Sequence, residues 1–218
     1  MSDRAIILAN GSIHDADTLI TRLQPWKGSI VIAANGGVQH AERLGLEISM
    51  VIGDLDSLDE EASIALEAAN THMVSVAAQK DETDLELALL YATGKGVEDI
   101  VVLGAFGDRI DMSLSNLLLL THPNFLPVHI EYWYGRQTAR LIRPPGDEIN
   151  GQSGDTLSLI PLEGDAEGIT THELYYPLND ENLTFGPARG VSNVLTASIA
   201  RVELRSGTLL AVHTPGDM

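Results

Sequence analysis

Cysteine is absent from this 218-residue chain, which excludes disulfides and thiolate metal ligands and leaves the redox compartment open. Basic residues are scarce: 13 Lys and Arg stand against 31 Asp and Glu, for a formal net charge of -18. That balance argues against sequence-independent nucleic-acid binding and against an anionic membrane surface, both of which need basic patches. An anionic small substrate is still allowed, because a bound metal reverses the local field. Long apolar runs are missing as well. LSNLLLL is far shorter than a bilayer span. The apolar run inside MSDRAIILANGS is strand-length, ended by Asn10 and Gly11, and too short for a signal-peptide core. The expectation is a soluble cytoplasmic protein with no membrane partner. Neither a GxSxG elbow nor a Walker GxxxxGK[ST] loop occurs. The seven histidines are scattered, and none is spaced as a helical ligand pair.

What is present is a globular composition, 44% hydrophobic and 20% charged, in a chain long enough for one large domain or two small ones. AIILAN, SIVIAAN, SMVIGD, MVSVA, DIVVLGA and HIEYWYG are short apolar runs that end in small or polar residues. Helical patterns fall between them, over about 15–24, 37–45, 59–70, 83–93 and 111–121. Strands alternating with helices predict an α/β domain over 1–135, with a mostly parallel sheet covered by helices. Beyond it, TARLIRP, TLSLIPL, GITTHELYYPL, NVLTASIARVELRSG and TLLAVHT are strand-like and carry no helical period. They predict an antiparallel β-sandwich over 136–218. Tyr132, Trp133 and Tyr134 are expected to pack in the core or at a domain interface.

In a doubly covered parallel sheet, ligands gather beyond the carboxyl ends of the strands. The polar motifs of the first domain fall there. Asp54 and Asp56 in GDLDS are two apart, so an extended segment points both to one side, where they can share a cation. The alternative is a polar turn in which Asp56 or Ser57 caps the next helix. In KDETDLELAL, Thr83 and Glu86 fit a capping box. That accounts for neither Lys80, Asp81 nor Asp84, whose placement is shared between helix-dipole compensation and metal binding. GAFGDRIDMSLSN adds Arg109, whose planar fork suits phosphate oxygens. Asp111 either caps the following helix or holds Arg109, and Asn116 lies further along that helix. The Asn35-Gly36-Gly37 turn can offer backbone N–H groups to a phosphate or a ribose.

Taken in order, NGG, GDLDS, KDETDLE and GAFGDRID-x4-N resemble the thiamine pyrophosphokinase (thiamin diphosphokinase) family. So does ITTHELYYPL followed by GPARGVSN, and the likeness spans about residues 5 to 213. The resemblance implies a homodimer with active sites between subunits, an N-terminal ATP domain and a C-terminal thiamine-binding sandwich. The implied reaction moves the diphosphoryl group of ATP to the thiamine hydroxyl, giving thiamine diphosphate and AMP. By this likeness Asp54, Asp56, Asp81 and Asp84 hold Mg²⁺. Asn35, Gly36, Gly37, Ser57, Lys80, Thr83, Arg109 and Asn116 contact ATP, and Asp111 orients Arg109 or the nucleophile. Ser192 and Asn193 face the thiamine ring, with Leu174 and Tyr176 as packing.

Two positions depart from the family pattern. Asn35 stands where an acid is usual, and Met112 where a histidine or glutamine is. Two other readings follow: a pyrophosphokinase for another hydroxymethyl heterocycle such as a pterin, or a degenerate sensor of nucleotide or thiamine diphosphate. A haloacid-dehalogenase-type phosphatase is set aside, because its aspartate nucleophile follows the first strand and DLDS follows the third.

Overall fold

The computed structural model describes residues 3–54, 64, 66, 68, 71–76 and 79–216. Asp56, Ser57 and most of the helix expected over 59–70 lie outside the described residues. The chain divides into two compact units, Met1–Gly135 and Arg136–Met218.

In the first unit β1 (Arg4–Leu8), β2 (Ile30–Ala34), β3 (Met50–Gly53), β4 (His72–Ser75), β5 (Asp99–Leu103) and β6 (His129–Tyr134) form a sheet in the order β4-β3-β2-β1-β5-β6. Each neighbouring pair is parallel, with Leu8 beside Leu103 and Ala34 beside Ile52. The runs are apolar on both sides because both faces are covered. Ile6, Leu8, Val31, Ala33, Val51, Val101 and Leu103 pack with Leu19, Leu23, Ala41 and Leu44. The helix Asp84–Gly94 buries Leu85, Ala88, Leu89 and Ala92, one face at i, i+3, i+4 and i+7, and it packs against β1, β2 and β3. Its N-cap is the expected Thr83, whose Oγ1 accepts from Glu86 N at 3.2 Å. The Glu86 carboxylate itself lies 3.9 Å from His122 Nε2.

One helix differs from its sequence pattern. Where 37–45 reads as continuous, the chain makes a 3₁₀ segment, Asn35–His40, then one α-turn, Ala41–Leu44. Close packing explains the tight segment: a Cβ on Gly37 would lie 2.0 Å from the Leu8 carbonyl oxygen. The turn is pressed onto the end of β1.

The second unit is antiparallel. β7 (Gln137–Ile142) pairs with β13 (Ser206–Thr214), and β13 with β9 (Thr156–His172). The far end of β9 pairs with β12 (Ile199–Glu203), and β12 with β8 (Gly146–Asn150). β10 (Glu181–Leu183) and β11 (Asn193–Val194) also pair with β9. Leu157, Leu159, Ile169, Ala200, Val202, Leu209 and Ala211 share one core, so the two sets of strands form a sandwich.

TLSLIPL and GITTHELYYPL, which read as separate strands, are joined by the continuous β9, which ends at His172. Glu163 and Gly164 have φ of 62° and 123°, near a register shift opposite β13 between Ser206 and Thr208. That irregularity bends one strand between both sheets. NVLTASIARVELRSG is conversely split into β11 and β12. β8, with sequence GDEIN, gave no strand pattern because it lies at the sheet's edge and buries only Ile149.

Candidate active site

The strand order places β2, β3 and β4 to one side of β1, and β5 and β6 to the other. The connections leaving β1 and β5 therefore diverge, and open a crevice at their carboxyl ends. A cleft of about 450 Å³ lies there, lined by residues 9–12, 34–35, 83–85, 104–109, Met112 and Asn116. Its floor is stitched together by main-chain bonds, Gly11 N to Gly104 O at 2.7 Å and Ser12 N to Phe106 O at 2.6 Å. From the other side, His40 Nε2 donates to the Gly11 carbonyl at 2.8 Å. Burial chiefly lowers the His40 pKa, which keeps the ring neutral at pH 7 with its proton on the bonded nitrogen. Asn116 Nδ2 donates to Ala105 O at 2.6 Å and holds the far wall.

Three side-chain pairs lie in the cleft and at its rim, while Asp108 in the lining is exposed. Lys80 Nζ lies 2.6 Å from Asp84 Oδ1 at the start of helix Asp84–Gly94. Asn35 Nδ2 donates to Asp54 Oδ1 at 2.8 Å, linking the ends of β2 and β3. Arg109 grips Asp111 through Nε to Oδ1 at 3.2 Å and Nη2 to Oδ2 at 2.5 Å. Of the two roles open to Asp111, the structure has this one, since helix Ile110–Leu119 has no side-chain cap. The hydrogen bond from Arg109 holds the Asp111 carboxyl below its ordinary range, and the same bond raises the arginine.

Of the residues named from sequence, Asn35, Thr83, Asp84, Arg109 and Asn116 line this cleft. Asp54 and Lys80 are joined to it through Asn35 and Asp84. Asp81 is exposed in the bend before the helix, and Gly36 and Gly37 lie behind the turn rather than in the lining. Asn10, Gly11 and Ser12 are lining residues outside the quoted motifs, signalled only by the Asn10-Gly11 break at the end of the first strand. Phe106, inside GAFGDRID, also lines the cleft.

The residues named in the β unit lie in and around the turn 173–194. Ser192, exposed and at φ 60°, donates its backbone N–H to Ser158 Oγ at 3.1 Å. Asn193 clips the backbone of Tyr176: Oδ1 accepts from Tyr176 N at 3.0 Å, and Nδ2 donates to Tyr176 O at 2.7 Å. Leu174 is buried in the sandwich core and bridges to Leu195. The Tyr175 and Tyr176 rings are exposed and packed edge to face, 4.8 Å apart.

A crevice at the switch point of a parallel sheet, with carboxylates, a lysine and an arginine in and around it, is the arrangement of an α/β protein with a charged cleft at its strand ends. The comparisons with known proteins narrow this. A sequence model of the thiamin pyrophosphokinase catalytic domain matches residues 23–131, and one of that enzyme's vitamin B1 binding domain matches residues 146–209. The thiamine pyrophosphokinase of Bacillus subtilis is 30% identical over 164 residues, 74% of this chain and 76% of that one. A crystal structure of the Bacillus subtilis enzyme superposes with a TM-score of 0.85 at 26% identity, covering 98% of this chain and 100% of that chain. Yeast thiamin pyrophosphokinase shares the fold, with a TM-score of 0.77 at 16% identity over 96% of this chain and 86% of that one. The chain belongs to the thiamin pyrophosphokinase family of enzymes. Among the described residues, no helix is long and apolar enough to cross a membrane.

Proposed function

We propose that this protein transfers the diphosphoryl group of ATP to the hydroxyl of thiamine, giving thiamine diphosphate and AMP, with Mg²⁺ as cofactor. The unit of residues 1–135 then holds ATP, and the unit of residues 136–218 holds thiamine. The observation that carries the reading is the gathering of Lys80, Asp84 and Arg109 at the switch-point cleft of a chain in this family.

Among the described residues, no three His, Asp or Glu side chains converge as a metal cage. Mg²⁺ needs none, since its usual shell is one or two carboxylates completed by water and substrate phosphates. Asp54 and Asp84 fit that demand as hard oxygen donors, with Asp81 and Asp56 as the further expected ligands. When bound, the ion neutralises charge on the transferred group.

The chain's own residues do the rest. Polyphosphate oxygens compete with Asp84 for Lys80 and with Asp111 for Arg109, so both cations turn towards the substrate. Asp111 holds the guanidinium beside the cleft until the substrate arrives. The thiamine hydroxyl oxygen bonds to the β-phosphorus, the bond from that phosphorus to the bridging oxygen of AMP breaks, and the hydroxyl proton is released. Asn35, Thr83 and Asn116 border the nucleotide in this reading, with Gly36 and Gly37 shaping the turn behind it and Ser57 as an expected further contact. Ser192, Asn193 and Tyr176 form the thiamine side, backed by Leu174.

A second copy completes the reading. Ile110, Leu114 and Leu118 are 82%, 56% and 47% exposed and recur every four residues on the helix whose first turn borders the cleft. A homodimer seated on that stripe would cover it and wall the cleft. Leu114→Asp is expected to shift a dimer to monomers in sedimentation. A variant that sediments like wild type would remove the stripe from the interface.

The activity is tested by mixing the protein with ATP, Mg²⁺ and thiamine and measuring AMP. Thiamine-dependent AMP release is expected. Release with a pterin alcohol alone would change the acceptor. Nucleotide or thiamine diphosphate binding without any AMP would make the protein a sensor.

A further inference from the structure

We propose that Asn35 is a positioning residue that takes the place of a cation beside Asp54, so that the divalent ion is not held by the free protein and arrives with the nucleotide. The second half of this statement rests on the functional reading above; the first half stands on geometry alone.

Asn35 leaves β2 at φ 43°, in the left-handed region that asparagine tolerates better than most residues. Just past the last register pair, Ala34 with Ile52, it faces Gly53, where a Cβ would lie 2.7 Å from Asn35 Cβ. Only a glycine allows the two strand ends this close. The approach brings Asn35 Nδ2 to 2.8 Å from Asp54 Oδ1 in a partly buried bond between residues 19 apart in sequence.

An amide N–H donates without adding charge. Asp54 is thus oriented by a neutral donor, and an ion reaching its Oδ1 must compete with that bond. Asp84, which lines the cleft, is already engaged by the Lys80 ammonium at 2.6 Å. Asp54 and Asp84 therefore each have a protein donor, while Asp108 in the lining and Asp81 before the helix are exposed. Divalent-ion affinity rises with the number of uncompensated carboxylates, and the donors on Asp54 and Asp84 lower that number by two. The ion becomes favourable when phosphate oxygens enter, because they draw Lys80 away from Asp84 and supply ligands of their own.

The test measures ion binding without nucleotide, by Mn²⁺ titration followed by electron paramagnetic resonance and by Mg²⁺ calorimetry. Weak binding is expected for wild type. Asn35→Asp, which suits the same backbone conformation, places a second carboxylate opposite Asp54 and is expected to bind at least about tenfold more tightly. The double variant Asn35→Asp/Asp54→Asn restores one amide and one acid in exchanged positions, and is expected to return to wild-type affinity. Asn35→Gly keeps the turn and removes the donor, so its affinity should lie above wild type. The proposal is overturned if wild type already binds as tightly as Asn35→Asp, if Asn35→Asp or Asn35→Gly shows no gain, or if the double variant keeps the gain. Because nothing here depends on turnover, absence of AMP release would overturn the activity and leave this result standing.

Discussion

At the carboxyl edge of the parallel sheet, Lys80 holds Asp84, Asn35 holds Asp54 and Arg109 holds Asp111, each through side-chain atoms at both ends. In the β unit, Asn193 clips the Tyr176 backbone, Thr171 Oγ1 accepts from Leu178 N, and Asp155 accepts from Gln152 N and Gly216 N. Both units use both kinds of contact, with pairs such as Arg189–Glu181 in the β unit and the Asn116 clip to Ala105 in the first, but the residues just named differ in the kind of partner they hold. A side-chain pair can open and re-form on a ligand without orphaning any main-chain group. A backbone clip opens at a greater cost, because it frees a main-chain N–H or C=O that must find water or stay unsatisfied. Polar residues of the first kind are therefore available for chemistry, and those of the second kind hold shape.

The largest expected effect tests the first half of that contrast. Arg109→Ala should lower turnover by about 10²–10³, the usual cost of one charge contact to a transition state. Its melting temperature should stay at the wild-type value, because the side chain is 73% exposed. Unchanged AMP release would make the Arg109–Asp111 pair an ornament of the helix start.

Asp155→Ala tests the other half. This carboxylate is 6% exposed and also bonds His213 Nε2 at 2.8 Å. Its removal strands the partly buried donors Gln152 N, Gly216 N and His213 Nε2 and should cost about 2–4 kcal/mol in denaturant unfolding, from the usual 1–3 for each orphaned group. Burial pushes the Asp155 pKa up, yet the bonds from Gly216, Gln152 and His213 outweigh it and leave the pKa lowered. The carboxyl ionises more readily folded than unfolded. Its stabilisation is complete above the unfolded value of about 3.9 and is lost as pH falls through the lower folded value. In acid titrations followed by circular dichroism, Asp155→Asn should lack that component. An identical acid limb would argue against it.

Asn193→Ala sharpens the comparison, because sequence likeness assigns this residue to thiamine and the structure gives its amide to Tyr176. Loss of about 1–2 kcal/mol of stability is expected from the two bonds, together with a raised KM for thiamine and little change in kcat. A raised KM with unaltered stability would favour direct contact over the clip. The smallest effect belongs to Thr83→Ala, a backbone clip inside the cleft unit: about 1 kcal/mol for the lost cap, with a modest rise in the KM for ATP.

Sequence pattern carried the parallel half well because strands buried on both faces are apolar without interruption, as in Ile6-Ile7-Leu8 and Val101-Val102-Leu103. Thr83 was legible as a cap since its partner is three residues away. β8 was not, because an edge strand with one buried residue has no pattern to read. The bend of β9 at Glu163-Gly164 looked like punctuation because a bulge and a turn use the same residues. In the site, residue types were readable but partners were not. Nothing local says that Asn35 reaches a carboxylate 19 residues away, or that Asn193 spends its amide on Tyr176.

The pairing of β7 with β13, which sets Ala139 beside Val212, has a kinetic consequence. Those residues lie at opposite ends of the second unit's sequence, so their ladder forms only after most of the intervening chain has given up its freedom. Such long-range closure slows folding and leaves few stable partial states. Amide protons of β7, β9 and β13 should consequently show one common opening free energy in deuterium exchange, set by opening of the whole sandwich.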